Sequence, residues 1–149
     1  MLALTKKTGY ALVAMGYLSQ LDRGALASAR EIADRFDLSS SLLMNVLKKL
    51  ASSEYIESVR GARGGYRIAV DPEEVSLADL VGVLEGPVRL AECVTEVAGN
   101  DTECTCQVMA NCPVADPVHR AQRKLKDFLA SVTLSEIVKP PPVPTENKG

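Results

Sequence analysis

A chain of 149 residues that is 46% apolar but only 4% aromatic, with no Trp, can pack one core from Leu, Val, Ile and Ala. That balance favours helices and excludes wholesale disorder. The net charge of −2 hides an asymmetry: residues 1–70 carry ten Lys/Arg against six Asp/Glu (+4), residues 71–149 seven against thirteen (−6). Only the front half is suited to meet phosphate, and no stretch approaches the roughly 20 apolar residues that cross a bilayer.

Thr5 to Leu21 reads as a helix, with Leu12, Met15, Leu18 and Leu21 as its apolar stripe. Ser28-Ala29-Arg30-Glu31 has the pattern of a capping box and opens a short helix whose Ile32, Ala33 and Phe36 form the buried side. Asp37-Leu38 makes a tight link, and Ser39 is expected to cap a third helix. There Leu43, Val46, Leu47 and Leu50 recur at helical spacing, while Ser40, Ser41, Asn45, Lys48 and Lys49 face elsewhere. Ile56–Arg60 and Tyr66–Val70 flank Gly61-Ala62-Arg63-Gly64-Gly65, which predicts a β-hairpin.

Three helices and a hairpin make a winged helix-turn-helix over residues 1–72, closed by Asp71-Pro72. Ser76-Leu77-Ala78-Asp79 starts a fourth helix and Gly86-Pro87 stops it. Residues 93–112 hold all four cysteines and little periodicity, so they read as a loop. Asp116-Pro117 then opens a long helix, with Asp at the cap and Val118, Ala121, Leu125, Phe128, Leu129 and Val132 as its stripe. Residues 73–138 thus form a cysteine-bearing segment with helices. Residues 139–149, with four of the eight prolines, are expected to be a disordered tail. The fold class is mainly α with a small hairpin.

The start of the chain has no apolar run ending in a small-residue cleavage site, so a cytosolic protein is expected. Thiols stay reduced there, and four cysteines read better as ligands or sensors than as a disulfide framework.

A recognition helix needs short polar side chains at its N-terminal end to reach base edges, and cations for phosphates. Ser39, Ser40, Ser41 and Asn45 meet the first need, Lys48 and Lys49 the second. Arg60 and Arg63 on a glycine-rich wing suit a narrow minor groove. With one histidine, no nucleophile–base pair, no P-loop and no dinucleotide fingerprint, an enzyme is not expected. The readings from other classes are a small iron–sulfur electron carrier, and a scaffold whose winged helix binds protein.

The chain resembles the Rrf-two family of bacterial winged-helix regulators. The resemblance is carried by Leu4-Thr5-Lys6, Gly9-Tyr10-Ala11-Leu12, Arg30-Glu31-Ile32-Ala33, Val59-Arg60-Gly61 and Gly64-Gly65-Tyr66. It continues through Ser76-Leu77-Ala78-Asp79, Leu84-Glu85-Gly86-Pro87 and Cys106-x5-Cys112-Pro113, in the family's order. It implies a homodimer formed by the long helix, binding a palindromic operator on double-stranded DNA and expected to act as a repressor. It also implies Arg60 in the minor groove, with Lys6 and the serines of the third helix at the DNA. Several relatives carry Glu where this chain has Met44, so their operator preference does not transfer.

Cluster-binding relatives use three cysteines, and Cys93, Cys106 and Cys112 match them in position. The resemblance therefore implies an iron–sulfur cluster, 2Fe-2S or 4Fe-4S, for which soft thiolates are suited. A fourth ligand used by some relatives is a His where this chain has Ala115; others use an Asp where it has Gly9. His119 lies one turn further on and is read as a surface residue. Cys104 is the simplest replacement. A thiol switch and a zinc site stay open, although the paired C-x2-C spacing of structural zinc is absent.

Overall fold

The computed structural model describes residues 4–91, 108 and 111–138. In chain order these form α1 (Lys6–Gln20), α2 (Ala29–Phe36), α3 (Ser40–Ser52), β1 (Ile56–Val59), β2 (Gly65–Ile68), α4 (Leu77–Glu85), α5 (Ala115–Ser131) and α6 (Leu134–Val138). The expected disordered tail lies outside the described residues. No helix among the described residues is long and apolar enough to cross a membrane.

Thr5 caps α1 by accepting from the Lys7 N–H, and the helix buries Ala11, Ala14, Met15 and Leu18. The two alanines leave room for α3, which packs along this face. At α2 only half of the expected capping box forms. The Ser28 hydroxyl accepts from the Glu31 N–H at 3.0 Å, but the Glu31 carboxylate accepts from the Tyr17 hydroxyl at 2.6 Å instead of reaching back. Phe36 also departs from expectation. It is 40% exposed, because its ring lies edge-on to Tyr17 at 5.6 Å rather than entering the core.

α2 ends at Asp37, whose φ of 53° is a left-handed turn that a short polar side chain tolerates. α3 then buries Leu43, Val46, Leu47 and Leu50, as its periodicity predicts. With Met15, Ile32 and Ile56 these residues form one core, which Val75, Leu80 and Leu134 complete from further along the chain.

β1 and β2 pair antiparallel, with Ile56 opposite Ile68 and Val59 opposite Gly65. A single bridge ties the wing to the segment before α2: the Ala27 N–H donates to the Tyr66 carbonyl at 3.0 Å, and the Ala27 carbonyl accepts from the Tyr66 N–H at 2.8 Å. That approach explains Gly65, and the tight turn of the hairpin itself explains Gly64. A Cβ on Gly65 would lie 2.7 Å from the Ala27 carbonyl oxygen, and one on Gly64 would collide with the Val59 carbonyl.

Ser76 and Asp79 form a full capping box at the start of α4. Val114, not Asp116, occupies the cap position of α5, so Asp116 and Pro117 fall in the first turn. There the carboxylate still faces the positive end of the helix and the proline sacrifices no bonded N–H. After α5 the chain turns back. Leu77 N–H donates to the Val132 carbonyl at 2.8 Å and Leu134 N–H to the Val75 carbonyl at 2.7 Å. This bridge leads into α6, which was not expected and which the Thr133 hydroxyl caps by accepting from the Glu136 N–H at 3.3 Å. It lies on α1, where Gly16 faces Val138.

Candidate nucleic-acid interface

α3 presents its uncommitted polar groups at its N-terminal end. Ser39 sits at the cap position but its side chain makes no cap bond, contrary to expectation. Its backbone N–H donates to the Tyr10 hydroxyl at 3.1 Å, and its hydroxyl lies 3.2 Å from that of Ser41. The first-turn N–H groups of α3 therefore lack a side-chain acceptor from Ser39, and such groups at a helix start attract anions. Ser40, Ser41, Asn45, Lys48 and Lys49 are all exposed. Ser41, Asn45 and Lys48 follow one another at i, i+4 and i+7, opposite the buried leucines, so they share the outward face.

Met44 lies on that same face, 38% exposed. It is the apolar member of an otherwise polar surface. In a major groove an apolar side chain can meet only the methyl group of thymine favourably.

At the wing, Arg60 and Arg63 are exposed, and neither joins an ion pair among the described residues. Arg67 does: its guanidinium lies 2.7 Å from the Glu57 carboxylate across the hairpin. Cross-strand pairing thus neutralises the arginine nearer the base and leaves the two at the tip free for an outside anion.

Lys6, the first residue of α1, is exposed beside Lys7. A groove of about 350 Å³ brings Lys7 together with Asn45 and Lys49. Sequence reading passed over Lys7; its only signal is its place beside Lys6 in the first turn of a helix. The site also includes Glu85 at the end of α4. Its carboxylate accepts from the Thr8 hydroxyl at 2.9 Å and from the Thr5 hydroxyl. The Thr5 bond above all, helped by the Thr8 bond and the nearby Lys7 charge, holds its pKa below the ordinary carboxylate value against desolvation, which outweighs either of the two lesser causes.

Of the cysteines, Cys93, Cys104 and Cys106 lie outside the described residues. Cys112 is half-buried and in no disulfide, two residues before the cap of α5. Among the described residues no group of three His, Cys, Asp or Glu side chains could hold a metal ion. His119, read as a surface residue, is half-buried on α5.

α5 itself buries a single residue, Gln122. Of the predicted stripe, Val118, Leu125, Leu129 and Val132 are half-buried while Ala121 and Phe128 are exposed, Phe128 by 61% and the capping Val114 by 53%, so the stripe is real in spacing but only partly covered within one chain. Between α1, α4 and α5 lies a cavity of about 340 Å³ lined by Leu4, Val81, Pro87, Leu125, Phe128 and others.

The Rrf2 family model, described as an iron-dependent transcriptional regulator, matches residues 4–140. The chain is 27% identical over 136 residues to the HTH-type transcriptional regulator NsrR of Bacillus subtilis, covering 91% of this chain and 90% of that one. Among solved structures it resembles CymR, the global cysteine regulator of B. subtilis, with a TM-score of 0.68 and 25% identity over 93% of this chain and 97% of that one. It is also similar to T. potens IscR, with a TM-score of 0.66 and 27% identity over 93% of this chain and 87% of that one.

Proposed function

Since the chain belongs to the Rrf2 family of transcriptional regulators, we propose that it binds a two-fold operator as a homodimer, under control of its cysteine segment. The observation that carries this is the pairing of an uncommitted polar face on α3 with two unpaired arginines at the wing tip. Ser39, Ser40, Ser41 and Asn45 meet base edges and adjacent phosphates from α3. Lys48 and Lys6 meet phosphates, and Arg60 and Arg63 enter the minor groove beside the contacted major groove. Lys7 and Lys49 extend the phosphate track along the groove they share.

The dimer is supported by α5. A helix with Phe128 and Val114 open to water requires a cover, and an isologous pairing of two copies supplies it while placing two recognition helices about 34 Å apart.

For the control element, NsrR and IscR relatives favour an iron–sulfur cluster on Cys93, Cys106 and Cys112, with Cys104 as the fourth ligand. Cys112 fits such a group: a thiol outside any disulfide, half-buried at the foot of the dimer helix. When bound, the cluster supplies a centre that iron status, oxidants or nitric oxide can alter. The chain's own part is to hold the thiolates and to connect them to α5. A second reading, a thiol sensor without a cluster, is favoured by the likeness to the cysteine regulator CymR.

Anaerobic purification with iron and sulfide assays and a visible spectrum separates the two. Bound iron with an absorbance that disappears in Cys106→Ala supports the cluster. A colourless, iron-free protein supports the thiol sensor. Selection from a randomised duplex library tests the DNA reading itself: the expected product is two related half-sites one helical turn apart.

A further inference from the structure

Gln122 sits in the apolar stripe of α5, four residues after Val118 and three before Leu125, and is 5% exposed. A side-chain amide in that position must find partners or destabilise the fold. Both of its ends do. Nε2 donates to the Val88 carbonyl at 2.6 Å, and Oε1 accepts from the Leu90 N–H at 2.9 Å. The amide grips main chain, not side chains, in the way a neighbouring strand would.

The gripped residues belong to a short strap, 85–90, with a second tie. Glu85 at its start is bonded by Thr5 and Thr8, beside Lys6 and Lys7 at the DNA-facing end of α1. Beyond Leu90 the chain reaches Cys93 in three residues. At the other end, Cys112 runs straight into α5. The described residues that flank the cysteine segment therefore both meet α5, Cys112 through the chain itself and Val88 and Leu90 through Gln122.

Resting on the function proposed above, we infer that Gln122 is the positioning residue that transmits the state of the cysteine segment to α5 and, through the strap and Glu85, to the DNA-facing end of α1. Among the described residues its bonds go to the main chain of Val88 and Leu90. Its part is to make the strap move with α5 instead of independently of it.

The test compares duplex affinity in two states of the dimer, with the cysteines free and after anaerobic loading with ferrous iron and sulfide. A coupled wild-type protein shows affinities that differ about 5- to 150-fold. Gln122→Met preserves size but has neither bond. It is expected to bring that ratio to within about twofold of one while leaving the dimer and the cysteine-free affinity close to wild type. Lys124→Gln, on the exposed side of α5, is expected to keep the wild-type ratio.

A wild-type ratio retained by Gln122→Met overturns the role of Gln122 alone. A ratio near one in the wild-type protein overturns the reading beneath it as well. Should Gln122→Met fail to fold, hydrogen exchange of the Leu90 amide in the wild-type protein decides the matter. Protection that differs between the two states supports the clamp, and identical protection overturns it.

Discussion

The winged module and the α5 arm treat their apolar side chains in opposite ways. In α3 every apolar residue of the periodic set, Leu43, Val46, Leu47 and Leu50, is buried against α1 and α2. In α5 a stripe of equal regularity is only half-covered, with Phe128 exposed, and the one buried residue is polar, Gln122. The first pattern describes a surface already satisfied within one chain, whose outward residues are free to bind something else. The second describes a surface that the proposed second copy would cover. Periodicity alone does not distinguish them; what separates them is whether the rest of the chain has anything left to pack against the stripe.

The sharpest way to break this contrast is to empty the core on one side and the stripe on the other. Leu47→Ala leaves a void in the module and is expected to cost about 2–5 kcal/mol in denaturant unfolding. Phe128→Ala is expected to leave the unfolding of the monomer nearly unchanged and to weaken the dimer by about 2 kcal/mol or more, read by sedimentation across a dilution series. If Phe128→Ala destabilises the monomer as Leu47→Ala does, the two regions are not different in kind.

A smaller effect sharpens the module side. Arg60→Ala should weaken duplex binding by about 1–3 kcal/mol, whereas Arg67→Ala, whose guanidinium already faces Glu57, should change affinity much less. Equal losses would mean that the hairpin ion pair opens on DNA.

The smallest expected effect concerns the joint between the regions. The carboxyl of Glu85 is held below its ordinary value by the Thr5 and Thr8 hydroxyls. Its folded-state pKa is thus lower than its unfolded one, and the stabilisation is present above the ordinary carboxylate range. It is lost as the pH falls through the depressed value. Glu85→Gln should flatten the acid limb of the stability profile slightly and leave the neutral region almost level; an unchanged acid limb would remove Glu85 from this role.

Much of this architecture could be read from residues. The leucine spacing of α3, the glycine-rich wing and the Ser76–Asp79 box each arise from local chemistry, and local chemistry is what a sequence displays. The missing pieces depend on partners distant along the chain. Glu31 turns to Tyr17 because α1 happens to lie beside α2. α6 is five residues long and follows the bridge between Ser76 and Thr133, although the Thr133 hydroxyl that accepts from the Glu136 N–H is a local cap. The cap at Ser39 fails to form although residue type and position were right: its hydroxyl lies 3.2 Å from that of Ser41, while its backbone N–H goes to the Tyr10 hydroxyl of α1. Within the site, the exposed serines, Asn45 and the two wing arginines were legible, whereas the tie between Glu85 and Thr8, 77 residues apart, carried no signal. Gln122 did carry one: a polar residue in an apolar stripe.

The most direct test of the central claim is the salt dependence of wild-type binding to a duplex selected from random sequence. The account predicts tight binding in dilute buffer by a dimer, with an affinity that falls steeply as salt rises, because several lysines and arginines displace counterions from phosphate. A protein that ignores double-stranded DNA in dilute buffer, or binds it with no response to salt, contradicts the account.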